Sequence, residues 1–189
     1  MQRMTPEESA RDPRARAVLE FWFRGDTERE EWFRKDPSFD DEIRTRFLSL
    51  YEEAARGALT AWRDSPRSCL ALIVLLDQFP RNMFRDTARA YATDALALDA
   101  ARHAVASRHD HLLRGIERTF MYLPFEHSEN LADQERALEL FAGHPNYEWA
   151  RRHWEIVKRF GRFPHRNAIL GRENTAAETE FLKGPGSSF

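Results

Sequence analysis

The segment from Pro66 to Phe79 constrains the fold more than any other part of the chain, because it is apolar on nearly every side. Its centre, residues 69–76, reads CLALIVLL and contains no charged residue. A helix of this composition has to be surrounded by other elements. The run is far shorter than the roughly 20 residues that cross a bilayer. It therefore predicts the central helix of a globular core.

The rest of the chain reads as a series of helices separated by proline and glycine. Helix starts are predicted where a capping side chain precedes proline or opens a capping box, and helix ends where glycine follows a periodic segment. The predicted starts are Asp12-Pro13, Asp36-Pro37, Ser65-Pro66 and Thr175 with Glu178. The predicted ends are Gly57, Gly143 and Gly161. No strand-like alternation and no Gly/Ser linker is present. The sequence predicts an all-α fold, a single domain of stacked antiparallel helices over residues 1–189, with irregular termini at 1–12 and 184–189.

A short motif occurs twice, first as Phe79-Pro80-Arg81-Asn82 and then, one residue longer, as Phe163-Pro164-His165-Arg166-Asn167. We expect each proline to end a helix, since proline lacks the N–H that an interior position needs. A guanidinium and an amide then follow directly after an apolar anchor. This density of hydrogen-bond donors indicates a polar centre, either structural or ligand-binding.

Asp77 lies at the C-terminal end of the central helix, where an acidic side chain opposes the helix dipole. It therefore predicts a cationic partner, either Arg81 or an arginine of the second copy. We expect the two copies to meet, with Arg81 and Arg166 sharing partners. Asp77 and the carboxylates near His127 are the candidates for that role.

Two predicted helices, over 127–142 and 146–160, carry polar residues on faces that are otherwise apolar. His127 and Gln134 lie in the stripe of the first, and His153 follows Trp149 in the stripe of the second. Buried polar groups need partners, because an unsatisfied one costs roughly 1–3 kcal/mol. The pattern predicts an internal network, which is either a ligand site or a satisfied core that fixes helix register.

Three residues near the second copy, Arg162, His165 and Arg166, suggest an anion pocket. The planar guanidinium of arginine binds a carboxylate or phosphate through two bonds at once. The N-terminus of a short helix predicted over 165–170 would add backbone donors. The alternative interpretation is a solvated basic face with ion pairs between helices.

Composition and missing motifs narrow the possible functions. Charged residues make up 32% of the chain with a formal net charge of −2, which is unlike a basic nucleic-acid binder. Cys69 is the single cysteine, and no zinc, di-iron, nucleophile-elbow or phosphate-loop motif occurs. We expect no metal, no cofactor, no nucleic acid and no membrane partner, and the polar start of the chain predicts a cytoplasmic protein.

Several long strings resemble a known family: LLDQFPRNMFRDTARAYATDALAL, YLPFEHSENLADQ and RFGRFPHRNAILGR, with VLEFWF before them and PGSSF at the end. They resemble the uncharacterised bacterial family known as domain of unknown function 924, from about Val18 to Phe189. The resemblance implies an all-helical fold of the tetratricopeptide-repeat-like kind and brings no activity or catalytic residues. Asp86 stands where the family commonly has glycine, in a predicted loop.

Three functions are compatible with these observations. The first is a module that binds an acidic peptide or a small anion in a groove between stacked helices. The second is an enzyme with His127 or His153 as general base, oriented by Glu126 or Glu129. The third is a purely structural polar centre. The candidate ligand-binding residues are Arg81, Asn82, Glu126, His127, Gln134, His153, Arg162, His165, Arg166 and Asn167.

Overall fold

The computed structural model describes residues 12–24, 29–32 and 34–188, and all regular structure within these ranges is helical. The predicted all-α class is confirmed. The N-terminal residues 1–11 and Phe189 lie outside the described residues. The α-helices are α1 (Pro13–Trp22), α2 (Pro37–Ala55), α3 (Pro66–Ile73), α4 (Phe79–Met83), α5 (Asp94–Ala106), α6 (Gly115–Glu126), α7 (Leu131–Leu140), α8 (Tyr147–Phe160) and α9 (Ala176–Phe181).

Short 3₁₀ helices lie between several of these elements. They span Glu30–Trp32, Thr60–Asp64, Ala88–Tyr91, His109–Leu112 and Pro164–Arg166. Within the described part of the chain, no helix is both long and apolar enough to cross a membrane.

The predicted helix boundaries are confirmed by their capping bonds. Asp12, Asp36 and Ser65 each accept a hydrogen bond from a backbone N–H of the helix that follows. Thr175 and Glu178 form a capping box at the start of α9. Gly161 ends α8 with a φ of +70°, a conformation that glycine adopts without strain.

The chain divides into two compact units. The first contains the described residues up to Arg85 together with Arg89–Pro124, and the second contains Asp86–Ala88 and the chain from Phe125 onward. The boundary at Pro124 falls inside α6, so no linker marks it in the sequence. The first copy of the repeated motif lies in the first unit and the second copy in the second unit.

Phe79 lies at the centre of an aromatic core in the first unit. Its ring contacts Phe47, Trp22 and Phe21 at centroid distances of 4.9, 5.6 and 6.1 Å. The ring of Phe79 is fully buried. The predicted role of the first Phe-Pro step as a core anchor is thus explained by aromatic packing.

Pro80 does not end the central helix, contrary to our prediction. The chain passes from α3 through a π-helical turn, Val74–Gln78, directly into α4. Two carbonyl groups ahead of the proline accept hydrogen bonds from side chains. The oxygen of Leu76 accepts from the Thr93 hydroxyl at 2.6 Å, and the oxygen of Asp77 accepts from Arg81 Nη1 at 2.7 Å. The Thr93 hydroxyl therefore satisfies the Leu76 carbonyl, which lies four residues before the proline and lacks an α-helical N–H donor for that reason.

The second unit is built around a smaller apolar core. Ile156, Val157 and Phe163 are buried together, and Phe160 and Phe181 pack against them. These residues come from α8, the second Phe-Pro step and α9, so the core holds the second copy of the motif against two helices.

Two details of the predicted helices in this unit are wrong. His127 lies in the turn after α6, because α7 begins only at Leu131. Trp149 was expected to face inward but is 50% exposed, and the guanidinium of Arg152 lies 4.9 Å from its ring centroid. Gln134 and His153 do face inward, as predicted, with 0% and 6% exposure.

Asp86 has a φ of +60°, in the left-handed region that glycine adopts most readily. This conformation is compatible with the glycine expected at this position from the family resemblance. Aspartate is among the few other residues that tolerate it.

Candidate functional site

Arg81, of the first copy, is bound by carboxylates of its own unit. Its guanidinium donates to both oxygens of Asp94 at 2.8 and 3.0 Å and lies 3.3 Å from the buried carboxylate of Asp77. Burial by itself would lower the pKa of Arg81, but these two carboxylates outweigh it and raise that pKa further. The partner predicted for Asp77 is confirmed as Arg81.

Asn82 is held in the same way. Its amide nitrogen donates to Asp40 Oδ1 at 2.8 Å, and Arg85 binds both oxygens of the same carboxylate. Asp40 and Asn82 are both buried. The first copy therefore ties α4 to α2, and its donors are engaged by acidic side chains of the protein.

The ion pair of Glu129 and Arg172 binds the backbone of the second copy at Phe163. Glu129 Oε1 accepts from the backbone N–H of Phe163 at 2.8 Å, and Arg172 donates to the Phe163 carbonyl at 3.3 Å. Two bonds of 2.6 and 2.9 Å join the two side chains. Burial alone would raise the pKa of Glu129, but these bonds and the nearby charge of Arg166 hold it below its usual range. Both backbone polar groups of Phe163 are thus fixed.

Most of the remaining candidate residues lie near the ring of Phe163. The His153 and His165 rings lie 5.6 and 5.7 Å from it, and the Arg166 guanidinium stacks over it at 4.5 Å. His127 lies 6.4 Å from His153, and its carbonyl accepts from Arg166 Nη1 at 3.0 Å. We call these five residues the histidine–arginine cluster.

His153 is oriented by Glu126, the last residue of α6. Its Nδ1 lies 2.9 Å from Glu126 Oε1 and 2.9 Å from the Trp149 carbonyl. A carbonyl oxygen only accepts, so Nδ1 carries a proton. Nε2 is then the basic nitrogen of the neutral ring. His153 and Glu126 are 6% and 3% exposed, so their contact is shielded from bulk water.

Gln134, on α7, binds the backbone of the same residue, Glu126. Its Nε2 donates to the backbone carbonyls of Glu126 and Ser128, each at 2.6 Å. Because both partners are acceptors, the nitrogen has to face them, and the orientation of the amide follows. Gln134 therefore fixes the turn that carries His127.

Two other candidates are engaged outside the cluster. Arg162 donates to both carboxylate oxygens of Glu178, at 2.6 and 2.8 Å, and Asn167 donates to Asn174 at 2.7 Å. The helix expected over 165–170 is instead a 3₁₀ turn, Pro164–Arg166. The N–H groups of Arg166 and Asn167 bond to the carbonyls of Phe163 and Pro164, so no helix N-terminus points at an anion there.

The Arg162–Glu178 pair predicts a pH dependence of stability. Bonds from Arg162 lower the pKa of Glu178 from 4.5 to about 2. Because the folded pKa lies below the unfolded one, the stabilisation is complete above about pH 5 and is lost as the pH falls toward 2. We expect Glu178→Gln to unfold with a shallower pH dependence across this window, measured by urea denaturation. Equal slopes for the variant and the wild type would contradict this assignment.

The structure thus brings together Glu126, His127, Gln134, His153, His165 and Arg166 and gives the other candidates separate partners. The shared centre predicted for Arg81 and Arg166 stays a prediction, since each bonds within its own unit. The sequence reasoning did not select Asp40, Asp94 and Arg172, whose partners are distant in the chain. Among the described residues, no group of three or more His, Cys, Asp or Glu side chains could hold a metal ion.

A cavity of about 330 Å³ lies elsewhere, in the first unit. Its lining includes Asp12, Trp62, Asp64 and Ser65, and none of the ten predicted residues. Trp62 Nε1 donates to Asp12 at 3.0 Å, so the polar groups of this wall are partly engaged. The cavity gives no support to the predicted site.

Comparisons with known proteins place the chain without assigning an activity. Among solved structures, it is similar to a protein of unknown function from Agrobacterium tumefaciens, with 43% sequence identity and a TM-score of 0.87, over 91% of this chain and 98% of that one. No curated protein gives a significant match. Residues 18–186 match the family described as bacterial protein of unknown function, DUF924, and the chain therefore belongs to that family.

Proposed function

We propose that the second unit binds a small acidic molecule at the histidine–arginine cluster. The observation that carries this proposal is the convergence of one guanidinium and two imidazoles on the Phe163 ring, with a third imidazole, that of His127, 6.4 Å from His153. Arginine and protonated histidine are the side chains best suited to a carboxylate or phosphate. Buried donors of this kind also bind more strongly than exposed ones.

Burial favours a small ligand over an extended acidic peptide. Arg166 and His153 are each 6% exposed, whereas His127 and His165 are only partly buried. A ligand would enter past His127 and His165 and contact the two more deeply buried side chains, Arg166 and His153. Such an arrangement suits one acidic group and not a chain of them.

Arg81, Asn82 and Arg162 are not part of this proposed site. Each already donates to a carboxylate of the protein, Asp94, Asp40 and Glu178 respectively. An external anion would have to displace those partners. The proposed site therefore contains fewer arginines than the sequence suggested.

Titration calorimetry with phosphate, citrate and succinate tests the proposal. We expect a saturable heat for at least one anion at millimolar concentration or below, and a matching rise in melting temperature by mass action. Arg166→Lys should weaken binding by about tenfold, because lysine cannot reproduce the two-pronged contact. Arg159→Leu is the matched control, since it removes an exposed cation of the same unit.

Two outcomes would contradict small-anion binding. One is the absence of any heat from all three anions at millimolar concentration. The other is full affinity in Arg166→Lys together with a loss of affinity in Arg159→Leu, which would indicate a general charge effect. A tetraglutamate peptide that binds while the small anions do not would favour the acidic-peptide interpretation.

A second candidate function, proton-transfer catalysis, is favoured by the contact of His153 with Glu126. A carboxylate that holds the Nδ1 proton leaves Nε2 as a base, as in many general acid–base sites. The calorimetry samples, followed by NMR for several hours, test this candidate. Conversion of a bound ligand by the wild type but not by Glu126→Gln would support catalysis, and unchanged ligand spectra would argue against it for those molecules.

A further inference from the structure

Two buried oxygen atoms beside the cluster have no hydrogen-bond donor among the described residues. They are Glu126 Oε2 and Gln134 Oε1, in side chains that are 3% and 0% exposed. Buried polar atoms in folded proteins nearly always have a partner. These two atoms therefore indicate a missing donor.

Reorienting either side chain would not provide a donor for these acceptors. Gln134 is fixed by its two bonds to backbone carbonyls, which only its nitrogen can make. Rotation of the Glu126 carboxylate would exchange its two oxygens and leave one of them on His153 Nδ1. In either orientation one carboxylate oxygen and the amide oxygen remain as acceptors.

The two acceptors adjoin the site proposed for the acidic ligand. Glu126 binds His153 directly, and Gln134 binds the backbone of Glu126. His153 therefore joins the cluster to the Glu126 carboxylate, and Gln134 is joined to the same residue through its backbone. A ligand that satisfies both sets of groups has an acidic group together with hydrogens to donate.

We propose that the ligand is a small acid that also carries a hydrogen-bond donor, best of all an ammonium group, as in an amino acid. The inference rests on the proposed function and names the class of molecule. An ammonium group is preferred over a hydroxyl because the acceptor beside it is a carboxylate, and charge-assisted bonds are roughly twice as strong as neutral ones.

Matched acids with one changed substituent test this inference. The first set is L-aspartate, L-malate and succinate, and the second is L-alanine, L-lactate and propionate. Within each set the carbon chain is constant while the substituent changes from ammonium to hydroxyl to hydrogen. We expect the amino acid to bind at least about tenfold more tightly than the unsubstituted acid, with the hydroxy acid between them.

Glu126→Gln provides the matched variant, since the amide keeps the shape of the side chain and removes its charge. We expect the affinity ratio of aspartate to succinate to fall toward one in this variant. Circular dichroism checks that it is folded. If it is not folded, the comparison of the six acids with the wild-type protein alone decides the question.

The outcomes separate this inference from the proposed function. Equal binding of all three acids in a set would overturn the inference and leave anion binding intact, with water as the donor to both oxygens. Binding of ethylamine but of none of the acids would overturn the proposed function. The absence of binding by every probe would overturn both.

Discussion

Replacing Phe79 with alanine is expected to lower the free energy of unfolding by about 3–5 kcal/mol. The ring is fully buried and lies within aromatic contact of Phe47, Trp22 and Phe21. Its removal takes away apolar burial and leaves a cavity that rigid neighbouring rings cannot fill. Urea unfolding, followed by tryptophan fluorescence and circular dichroism together, measures the loss as a lower midpoint with an unchanged slope.

Phe79→Leu is the control for this prediction. Leucine keeps part of the buried volume, so its loss should be clearly smaller than that of alanine. If both variants unfolded at the wild-type midpoint, Phe79 would not be the anchor of the first unit.

Arg81→Leu is the second substitution with a large expected effect, about 3–5 kcal/mol. It removes the cation that lies 3.3 Å from the Asp77 carboxylate, which is 0% exposed, and the donor to the Asp77 carbonyl. An uncompensated buried charge is among the most destabilising changes in a folded protein. Thermal and urea unfolding of the variant provide the measurement.

Two further variants make the result specific to the buried pair. Arg136→Leu breaks an exposed ion pair with Glu139 and should change stability by about 0–1 kcal/mol. The double variant Arg81→Leu with Asp77→Asn should recover part of the loss, because it removes the stranded charge as well. Melting of Arg81→Leu at the wild-type temperature would show that the first copy is not structural.

Local chemistry made the helix boundaries predictable from the sequence. The helices that begin at Pro13, Pro37 and Pro66 are capped by the residues before them, Asp12, Asp36 and Ser65, and Thr175 and Glu178 form a capping box. Each of these contacts spans only a few residues, so a short stretch of sequence is enough to predict it. The inward orientation of Gln134 and His153 followed from helical periodicity in the same way.

Contacts between distant residues explain what the sequence could not predict. The continuation of the helix through Pro80 depends on a hydroxyl supplied by Thr93, which no local pattern indicates. The pairing of Arg172 with Glu129 spans 43 residues, so the sequence could show a basic group without showing its partner. Arg162, which suggested an anion pocket, is likewise bound to an acid of the protein, Glu178, 16 residues further along the chain.

The π-helical turn of Val74–Gln78 also determines which changes of chain length the protein tolerates. A turn of this kind holds one residue more than the α-helical turn it replaces. Loss of a single residue from this stretch would restore a regular α-helical turn, because four α-helical residues turn the chain by about as much as five π-helical ones. The residues beyond the turn, Phe79 and Arg81 among them, would keep nearly their present orientation. We therefore expect a one-residue deletion here to disturb the protein less than the same deletion in the middle of a regular helix such as α2.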